Sequence, residues 1–268
     1  MKKIFTDEQE KFMINNYLTM SYKEIGEKLG FTERQIRGRL NNMGYTKIRK
    51  INDHYFDIID IPLKAYLLGF IYADGWVYHN ENTRNYEFGI QLQSSDKYIL
   101  EKINEDLGGQ NIIYKYEPHV SNIQGHESHS GYTDCLRIYS KNLVLGLESN
   151  GVLPNKTKKD IYPIVPDELF FDYLRGYIDG DGCYYNNKNS TYMHITCASL
   201  EPLKYIQSKL KEYDIETHIY SENEKKHRLM CTNTIEMNKL LNHLYYEDGL
   251  FCLKRKYEKI AHLLGFAA

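Results

Sequence analysis

The first 50 residues carry the apolar and polar pattern of three short amphipathic helices. Each predicted helix follows a Thr or Ser that can cap its first turn, and the second and third end at a glycine. Thr6, with Gln9 three residues later, has the spacing of a capping box. Apolar side chains recur at helical spacing inside these segments, as Ile25 and Leu29 do. The pattern predicts helices over 7–17, 22–30 and 33–44.

From residue 54 onward one longer pattern occurs twice. Alternating apolar and polar residues predict strands, and apolar residues every three or four positions predict helices. The predicted strands cover 86–95, 112–117 and 135–140, then 192–199, 217–222 and 227–232. The predicted helices among them cover 96–108, 141–151, 200–214 and 234–249. Each copy reads α-β-β-α-β-β-α, and a last helix over 255–264 closes the chain.

This pattern predicts an α+β fold of two pseudo-symmetric halves with antiparallel sheets, preceded by a small all-α domain. The expected boundaries are 1–50 for the helical domain, 54–160 for the first half and 161–268 for the second half. The segment His-Glu-Ser-His (126–129) is expected in a Gly/Ser loop between the third and fourth strands of the first half. There it could contact a ligand or be solvated.

Each half opens with a helix that ends in Asp-Gly, LLGFIYADG (67–75) and LRGYIDGDG (174–182). Small residues four apart on one face let the two helix backbones approach closely. These residues are Gly69, Ala73, Gly176 and Gly180. Side-by-side packing would bring Asp74 and Asp181 together at the negative ends of two helix dipoles. Because two carboxylates placed there repel each other, a divalent cation such as Mg²⁺ is their natural partner.

A single Asp-Gly after a helix is also what an ordinary C-cap turn contains. Two such endings, each after a helix with small residues four apart and each opening the same repeat, favour a site over two unrelated turns. No Gly-x-Ser-x-Gly, phosphate-binding loop or His-Glu-x-x-His motif occurs elsewhere in the chain. The paired Asp-Gly helices are therefore the strongest candidate for chemistry.

Composition sets the broad class. The 268 residues, 42% of them apolar, suffice for about two domains with real cores. No apolar run is long enough for a membrane span and no signal-like start is present, so a cytoplasmic protein is expected. Five cysteines without a Cys-x-x-Cys pair favour neither a disulfide framework nor a zinc ribbon.

The net charge of −2 is the sum of a basic N-terminal segment and an acidic remainder of the chain. Residues 1–50 carry a net charge of +5, which leaves −7 for the other 218 residues. The segment SYKEIGEKLGFTERQIRGRL (21–40) resembles the helix-turn-helix DNA-binding motif. That resemblance implies a reading helix whose DNA-binding side chains are Arg34, Gln35, Arg37, Arg39, Asn41 and Asn42. A three-helix bundle with a solvated basic face is the alternative.

The two Asp-Gly motifs and the repeat over 54–268 resemble the LAGLIDADG homing endonucleases. The resemblance implies a monomer with internal pseudo-two-fold symmetry, in which the motif helices form the interface between the halves. It also implies saddle-shaped sheets on double-stranded DNA and two or three Mg²⁺ ions, for which Mn²⁺ or Ca²⁺ can substitute in binding. The base edges that such sheets would contact in the major groove are distinguishable.

The same resemblance makes Asp74 and Asp181 the metal ligands, and it implies one basic residue per half near the metal. The repeat places these catalytic lysines at Lys156 and Lys254, each five residues after a glycine, with Lys158 and Lys256 next in line. Ordinary surface lysines are the alternative for each. At the motif's earlier acidic position the halves differ, with Tyr72 in one and Asp179 in the other. Asp179 is expected to lie outside the primary ligands, close behind them or in solvent.

These residues favour a metal-dependent endonuclease that makes staggered double-strand cuts at a long DNA site, as in intron homing. Metal-bound carboxylates can align water and the scissile phosphate, while lysines offset the developing charge. Two alternatives use the same scaffold. One is a transcription regulator without catalysis, and the other is a maturase that binds its intron RNA.

Overall fold

The computed structural model describes residues 5–45, 51–109, 111–123, 126–156, 160–186 and 191–264. The chain separates into two compact units, Met1–Lys50 and Ile51–Ala268. Lys158 lies outside the described residues.

Within residues 5–45, the first unit has three helices, α1 (Asp7–Asn16), α2 (Tyr22–Leu29) and α3 (Glu33–Asn42). Thr6, Ser21 and Thr32 each complete a capping box at the start of one helix, which satisfies orphan backbone N–H groups. Gly30 ends α2 with φ of 73°, a left-handed conformation that glycine adopts without steric cost. The fully buried side chains of the unit are Met13, Ile25, Ile36 and Leu40. The three helices therefore lie where the capping residues predict them.

The second unit begins with the first of two similar halves. Its helices are α4 (Pro62–Asp74), α5 (Lys97–Asp106) and α6 (Lys141–Ser149). Its strands are β1 (Gly75–Asn80), β2 (Asn85–Gln93), β3 (Ile113–Tyr116), β4 (Val120–Ile123), β5 (His126–His129) and β6 (Thr133–Tyr139). An antiparallel sheet of four strands has the order β1-β2-β6-β3. Strands β4 and β5 pair separately as a hairpin.

The second half has the same topology. Its helices are α7 (Phe170–Asp181), α8 (Glu201–Glu212), α9 (Thr234–Leu244) and α10 (Lys254–Tyr257). Its strands are β7 (Gly182–Asn186), β8 (Thr191–Cys197), β9 (His218–Asn223) and β10 (Lys226–Cys231). They form an antiparallel sheet in the order β7-β8-β10-β9, the counterpart of the first sheet. The predicted α+β fold of two repeated halves is confirmed.

Two predicted elements differ from the structure. The expected loop around 126–129 forms the β4–β5 hairpin, in which Val120 pairs with His129 and Ile123 with His126. The predicted last helix over 255–264 is interrupted, because it consists of the single turn α10 and a separate 3₁₀ turn at Ala261–Leu263. The break turns the buried side chains of Ile260 and Leu264 into the core.

The motif helices α4 and α7 pack along each other at the junction of the halves. A Cβ added to Gly69 would lie 2.0 Å from the carbonyl oxygen of Tyr173, and one added to Gly176 would lie 1.9 Å from that of Tyr66. A Cβ on Gly180 would lie 2.2 Å from the Cβ of Ala73. Contacts this short exclude any larger side chain, so the small residues set the distance between the helices. The two halves share one continuous apolar core around this contact.

Candidate active site

The junction of α4 and α7 brings Asp74 and Asp181 together, as the motif spacing predicts. Each is the last residue of its helix, and the following glycine begins a strand with extended φ and ψ. A Cβ on Gly75 would lie 2.8 Å from the Ile71 carbonyl oxygen, and the same test at Gly182 gives 2.6 Å to that of Ile178. Glycine is therefore required for a direct change from helix to strand. This change fixes both carboxylates at the helix ends.

The two carboxylates are accessible to solvent but lie in a concave junction crowded by protein. This loss of hydration raises the pKa of Asp74 to about 6, and the negative charge of Asp181 raises it further. Loss of hydration also raises the pKa of Asp181, while the charges of Lys156 and Lys256 oppose the shift. The Asp74 Oδ2 atom lies 3.5 Å from the place that a Cβ on Gly180 would occupy, so its carboxylate reaches across to the other helix.

Lys156 makes three hydrogen bonds at the end of the first motif helix. Its Nζ donates to the carbonyl oxygens of Ile71 at 3.2 Å, Ala73 at 2.9 Å and Gly75 at 2.7 Å. These carbonyls lie at the negative end of the helix dipole, which favours a cation. Burial nevertheless lowers the pKa of Lys156 to about 8, with the charges of Asp181 and Asp74 opposing the shift.

Lys256 repeats this arrangement at the end of the second motif helix. Its Nζ donates to the carbonyl oxygens of Ile178 at 2.8 Å and Gly180 at 2.9 Å, and also to that of Gly182. Each of these three residues follows its counterpart around Lys156 by 107 positions. Burial lowers the pKa of Lys256 to about 8 as well. Lys156 and Lys256 are therefore the equivalent lysines of the two halves.

The structure corrects the choice of Lys254. Its side chain is exposed, with Nζ 4.9 Å from the centre of the Tyr98 ring, and it makes none of the carbonyl contacts of Lys256. Counting from Gly151 and Gly249 gave the wrong register, because the second half has two more residues before its lysine. Aligning Val152-Leu153-Pro154-Asn155-Lys156 with Cys252-Leu253-Lys254-Arg255-Lys256 would have given the right one. From the sequence, Lys256 is the next candidate after Lys254.

Asp179 is neither a solvated residue nor a member of the carboxylate pair. Its side chain is only 1% exposed. Its Oδ2 accepts hydrogen bonds from the Tyr66 hydroxyl at 3.0 Å and from the Leu253 backbone N–H at 2.7 Å. Its counterpart Tyr72 is also buried, and the Tyr72 hydroxyl donates to the Ile161 carbonyl at 3.4 Å. The two halves therefore differ in chemistry at this position.

The donors at the junction suit Mg²⁺ better than a metal that needs a full protein cage. No group of three or more His, Cys, Asp or Glu side chains that could hold a metal occurs in the part of the chain that is described. Mg²⁺ is commonly bound by one or two carboxylates and keeps its other positions for water and substrate phosphate. Two accessible carboxylates that lose hydration and repel each other meet that requirement.

A cleft of about 290 Å³ opens beside Asp181. Its lining includes Asp181, Lys156 and Tyr72 from the junction, Thr196 from β8 and Ser199 just after that strand. One side of the cleft is thus charged and the other carries hydroxyl groups. The lining therefore offers a carboxylate together with hydroxyl groups.

The face of each sheet opposite the core presents mainly aromatic and neutral polar side chains. On the first sheet the strand register places on this face Trp76, Tyr78, Glu87, Gln91, Gln93, Tyr114, Tyr116, Thr133, Arg137 and Tyr139. On the second sheet it places there Cys183, Tyr185, Tyr192, His194, Thr196, His218, Tyr220, Glu222, Arg228 and Met230. Side chains with both donors and acceptors can contact base edges.

The six side chains predicted to bind DNA from α3 fall into two groups. Three already have partners within the unit. Arg39 donates to Glu10 on α1, Arg37 pairs with Glu33, and the Gln35 Oε1 accepts from Thr32 at 2.9 Å in the capping box. The remaining three, Arg34, Asn41 and Asn42, are exposed, as Gln35 and Arg37 also are, and no such side-chain contact is described for them. The structure thus favours these three as the side chains available to a ligand.

The sequence of this chain matches a protein-family profile, and its fold is similar to that of solved structures. A sequence profile of the LAGLIDADG-like domain matches residues 62–149 and 169–245, one match in each half. The structure of the homing endonuclease I-WcaI bound to its DNA recognition sequence is similar, with a TM-score of 0.54 and 11% identity over 82% of this chain and 96% of that one. A single-residue mutant of I-SmaMI gives a TM-score of 0.50 and 14% identity over 75% and 89%. At these identities the likeness concerns the fold.

A search of curated protein sequences found no significant match. The helices within the described ranges include none that is both long and apolar enough to cross a membrane.

Proposed function

We propose that this chain, which belongs to the family of LAGLIDADG-like domains, is a divalent-metal-dependent endonuclease that cuts both strands of double-stranded DNA at a specific long site. The observation that carries the proposal is the pair Asp74 and Asp181 at adjacent helix ends, with Lys156 and Lys256 bound to equivalent carbonyls beside them. Two equivalent half-sites in one chain suit a duplex with two scissile strands. The protein would act as a monomer.

The carboxylates would hold the cation, for which Mg²⁺ is the first candidate. When bound, it would stabilise negative charge on phosphate oxygens and make a bound water more acidic. Lys156 and Lys256 are fixed by their carbonyl contacts, and a pKa of about 8 leaves both mostly protonated at neutral pH. Their charge can offset the charge that develops on the phosphate. This chemistry requires no covalent intermediate with the protein.

The open faces of the two sheets would bind the duplex on either side of the carboxylates. Their tyrosine, glutamine, threonine and histidine side chains suit contacts to base edges, while Arg137 and Arg228 can contact bases or phosphates. The acidic net charge of this part of the chain favours recognition through such contacts over general attraction to phosphate. Specificity would then be spread over both sheets.

We assign the three-helix unit a supporting role in DNA binding through its reading helix α3. Arg34, Asn41 and Asn42 are exposed on it, and the segment 1–50 carries the net charge of +5 that phosphate binding needs. This unit would add affinity or lengthen the recognised site. The assignment rests on the exposed side chains and the resemblance to a helix-turn-helix motif.

Selection from a random duplex library with Mg²⁺ tests the proposal. The protein is expected to cut a narrow set of sequences, and Asp74→Asn and Asp181→Asn are expected to bind the same sequences without cutting them. Glu81→Gln, a change of an exposed acid in the β1–β2 turn, is the matched control and should cut normally. Specific binding by the unchanged protein with no cutting would refute the nuclease and favour a regulator. Preferential binding of structured RNA would favour a maturase.

A further inference from the structure

The buried carboxylate of Asp179 is connected to the lysine of its own half through one short segment. The backbone N–H of Leu253 donates to Asp179 Oδ2 at 2.7 Å. The carbonyl of Leu253 in turn accepts from the backbone N–H of Lys256 at 2.9 Å and of Tyr257 at 3.0 Å, which forms the turn α10. Asp179 therefore fixes the start of the turn that carries Lys256.

Asp179 is itself held by the other half. Its Oδ2 also accepts from the hydroxyl of Tyr66, which lies on α4 and is fully buried. Both donors to Oδ2 are out of contact with water, so an apolar replacement of Asp179 would leave two buried donors without an acceptor. Asp179 Oδ2 thus links the Lys256 turn to the interface of the halves.

The outer side of the same segment is fixed to the first half at two more points. Arg255 Nε donates to the buried Asp96 Oδ2 at 2.8 Å. The backbone N–H of Lys254 donates to the Tyr98 hydroxyl at 2.7 Å. These contacts hold the outer side of the segment, whereas on its buried side Asp179 binds the Leu253 backbone N–H next to the carbonyl contacts of Lys256.

The lysine of the first half is positioned by different chemistry. Tyr72 stands where the second half has Asp179, and its ring centre lies 5.6 Å from Lys156 Nζ. The Tyr72 hydroxyl donates to the carbonyl of Ile161, which follows Lys156 along the chain. An aromatic ring replaces the carboxylate here. The two lysines make the same carbonyl contacts but have different supports.

We infer that Asp179 is a positioning residue for Lys256, and that it thereby controls cleavage of one DNA strand more than the other. The inference rests on the proposed nuclease function. Asp179 also contributes negative charge near the Lys256 amine, which favours its protonated form against the effect of burial. A shift of about 1 Å in a group that acts on the reacting phosphate can cost about 10²-fold in rate, so the turn that carries Lys256 is a sensitive point.

Strand-specific nicking tests the inference. With each strand labelled separately, Asp179→Leu is expected to slow the cutting of one strand about 10²-fold and of the other less than about threefold. Asp179→Asn keeps an acceptor oxygen for both donors and is expected to restore most of the lost rate. A role in folding alone would reduce the amount of active protein, and hence both strand rates equally. Equal losses on the two strands would overturn the inference.

A second measurement requires neither cutting nor metal. Acetic anhydride labelling of the full chain, mapped by mass spectrometry, should find Lys256 protected in the unchanged protein and in Asp179→Asn, because its side chain is only 6% exposed. In Asp179→Leu, Lys256 should become reactive while Lys156 keeps its reactivity and exposed Lys254 reacts throughout. Continued protection of Lys256 would overturn the positioning role. A protein that shows this labelling but cuts no DNA would refute the nuclease proposal alone.

Discussion

Replacing Asp74 by Asn should stabilise the metal-free protein while it removes cleavage. The junction raises the pKa of Asp74 from its ordinary value of 3.8 to about 6, so the folded protein holds the ionised carboxylate at a cost. The neutral amide has nearly the same size and avoids that cost. A substitution in the candidate active site is thus expected to make the fold more stable.

The size of the effect follows from the pKa. At 1.36 kcal/mol per pKa unit, the difference between 3.8 and about 6 corresponds to about 3 kcal/mol when the group is fully ionised. Because the side chain is accessible to solvent, screening reduces this to about 1–2 kcal/mol. For a unit of this size, that predicts a rise in the melting temperature of about 3–6 °C.

The pH dependence has a definite sign. The folded protein holds the Asp74 proton more tightly than the unfolded chain, so the protonated carboxyl favours folding. This contribution is fully present below pH 4 and is lost as the pH rises through about 6. The advantage of Asp74→Asn over the unchanged protein should therefore be small near pH 4 and reach its full size above pH 6.

Fluorescence of the single tryptophan measures the effect where it arises. Trp76 lies on β1, two residues after Asp74, and packs over Gly89. Urea unfolding in EDTA should give the larger free energy for Asp74→Asn. Added Mg²⁺ should shrink the difference, because under the proposed function the intact carboxylate would bind the ion. Glu81→Gln should change neither value. An unchanged or lower stability of Asp74→Asn in EDTA would refute the view that the ionised Asp74 carboxylate destabilises the fold.

Three further predictions concern the lysines, the contact between the motif helices and the three-helix unit. In single-turnover assays, Lys256→Met should lower the cleavage rate about 10²-fold, while Lys254→Met should change it less than about twofold. Equal effects of the two substitutions would contradict the pairing of Lys256 with Lys156. Gly176→Ala should destabilise the protein by about 3 kcal/mol in urea unfolding, because its Cβ would meet the backbone of the facing helix. Arg34→Ala should weaken DNA binding about tenfold in equilibrium titrations, whereas Arg39→Ala should cost about 1 kcal/mol of stability through loss of its Glu10 contact.

The fold was predictable because its signals are local or repeated. The caps of the three helices lie within a few residues of the turns they stabilise, so Thr6, Ser21 and Thr32 mark the helix starts directly. Because the pattern is duplicated, the elements predicted in one half could be compared with those predicted in the other. The β4–β5 hairpin was missed because its pattern of histidine, serine and glycine residues looks like a loop.

The side-chain partners were not predictable, because they join distant parts of the chain. Arg39 binds Glu10, which lies 29 residues earlier in the chain. This contact makes the Arg39 side chain less available to a ligand. Lys256 finds the carbonyls of the second motif helix across more than 70 residues. Helical periodicity gives the face of a side chain but not its partner. Counting residues from a glycine to the lysine fails for the same reason. The number of residues between them can differ between the halves while the lysine keeps the same carbonyl contacts.

The duplication constrains some positions of the site and leaves others free. Each lysine must satisfy three carbonyls at the end of one motif helix, so the lysine, the helix end and the following glycine are fixed together in both halves. The contacts that hold the lysine segment from behind carry no such requirement, and there Tyr72 and Asp179 differ. Under the proposed function, two half-sites with equivalent carboxylates and unequal supports should cut their strands at unequal rates. A nicked duplex should therefore accumulate before the double-strand product, and simultaneous loss of both strands would contradict this reasoning.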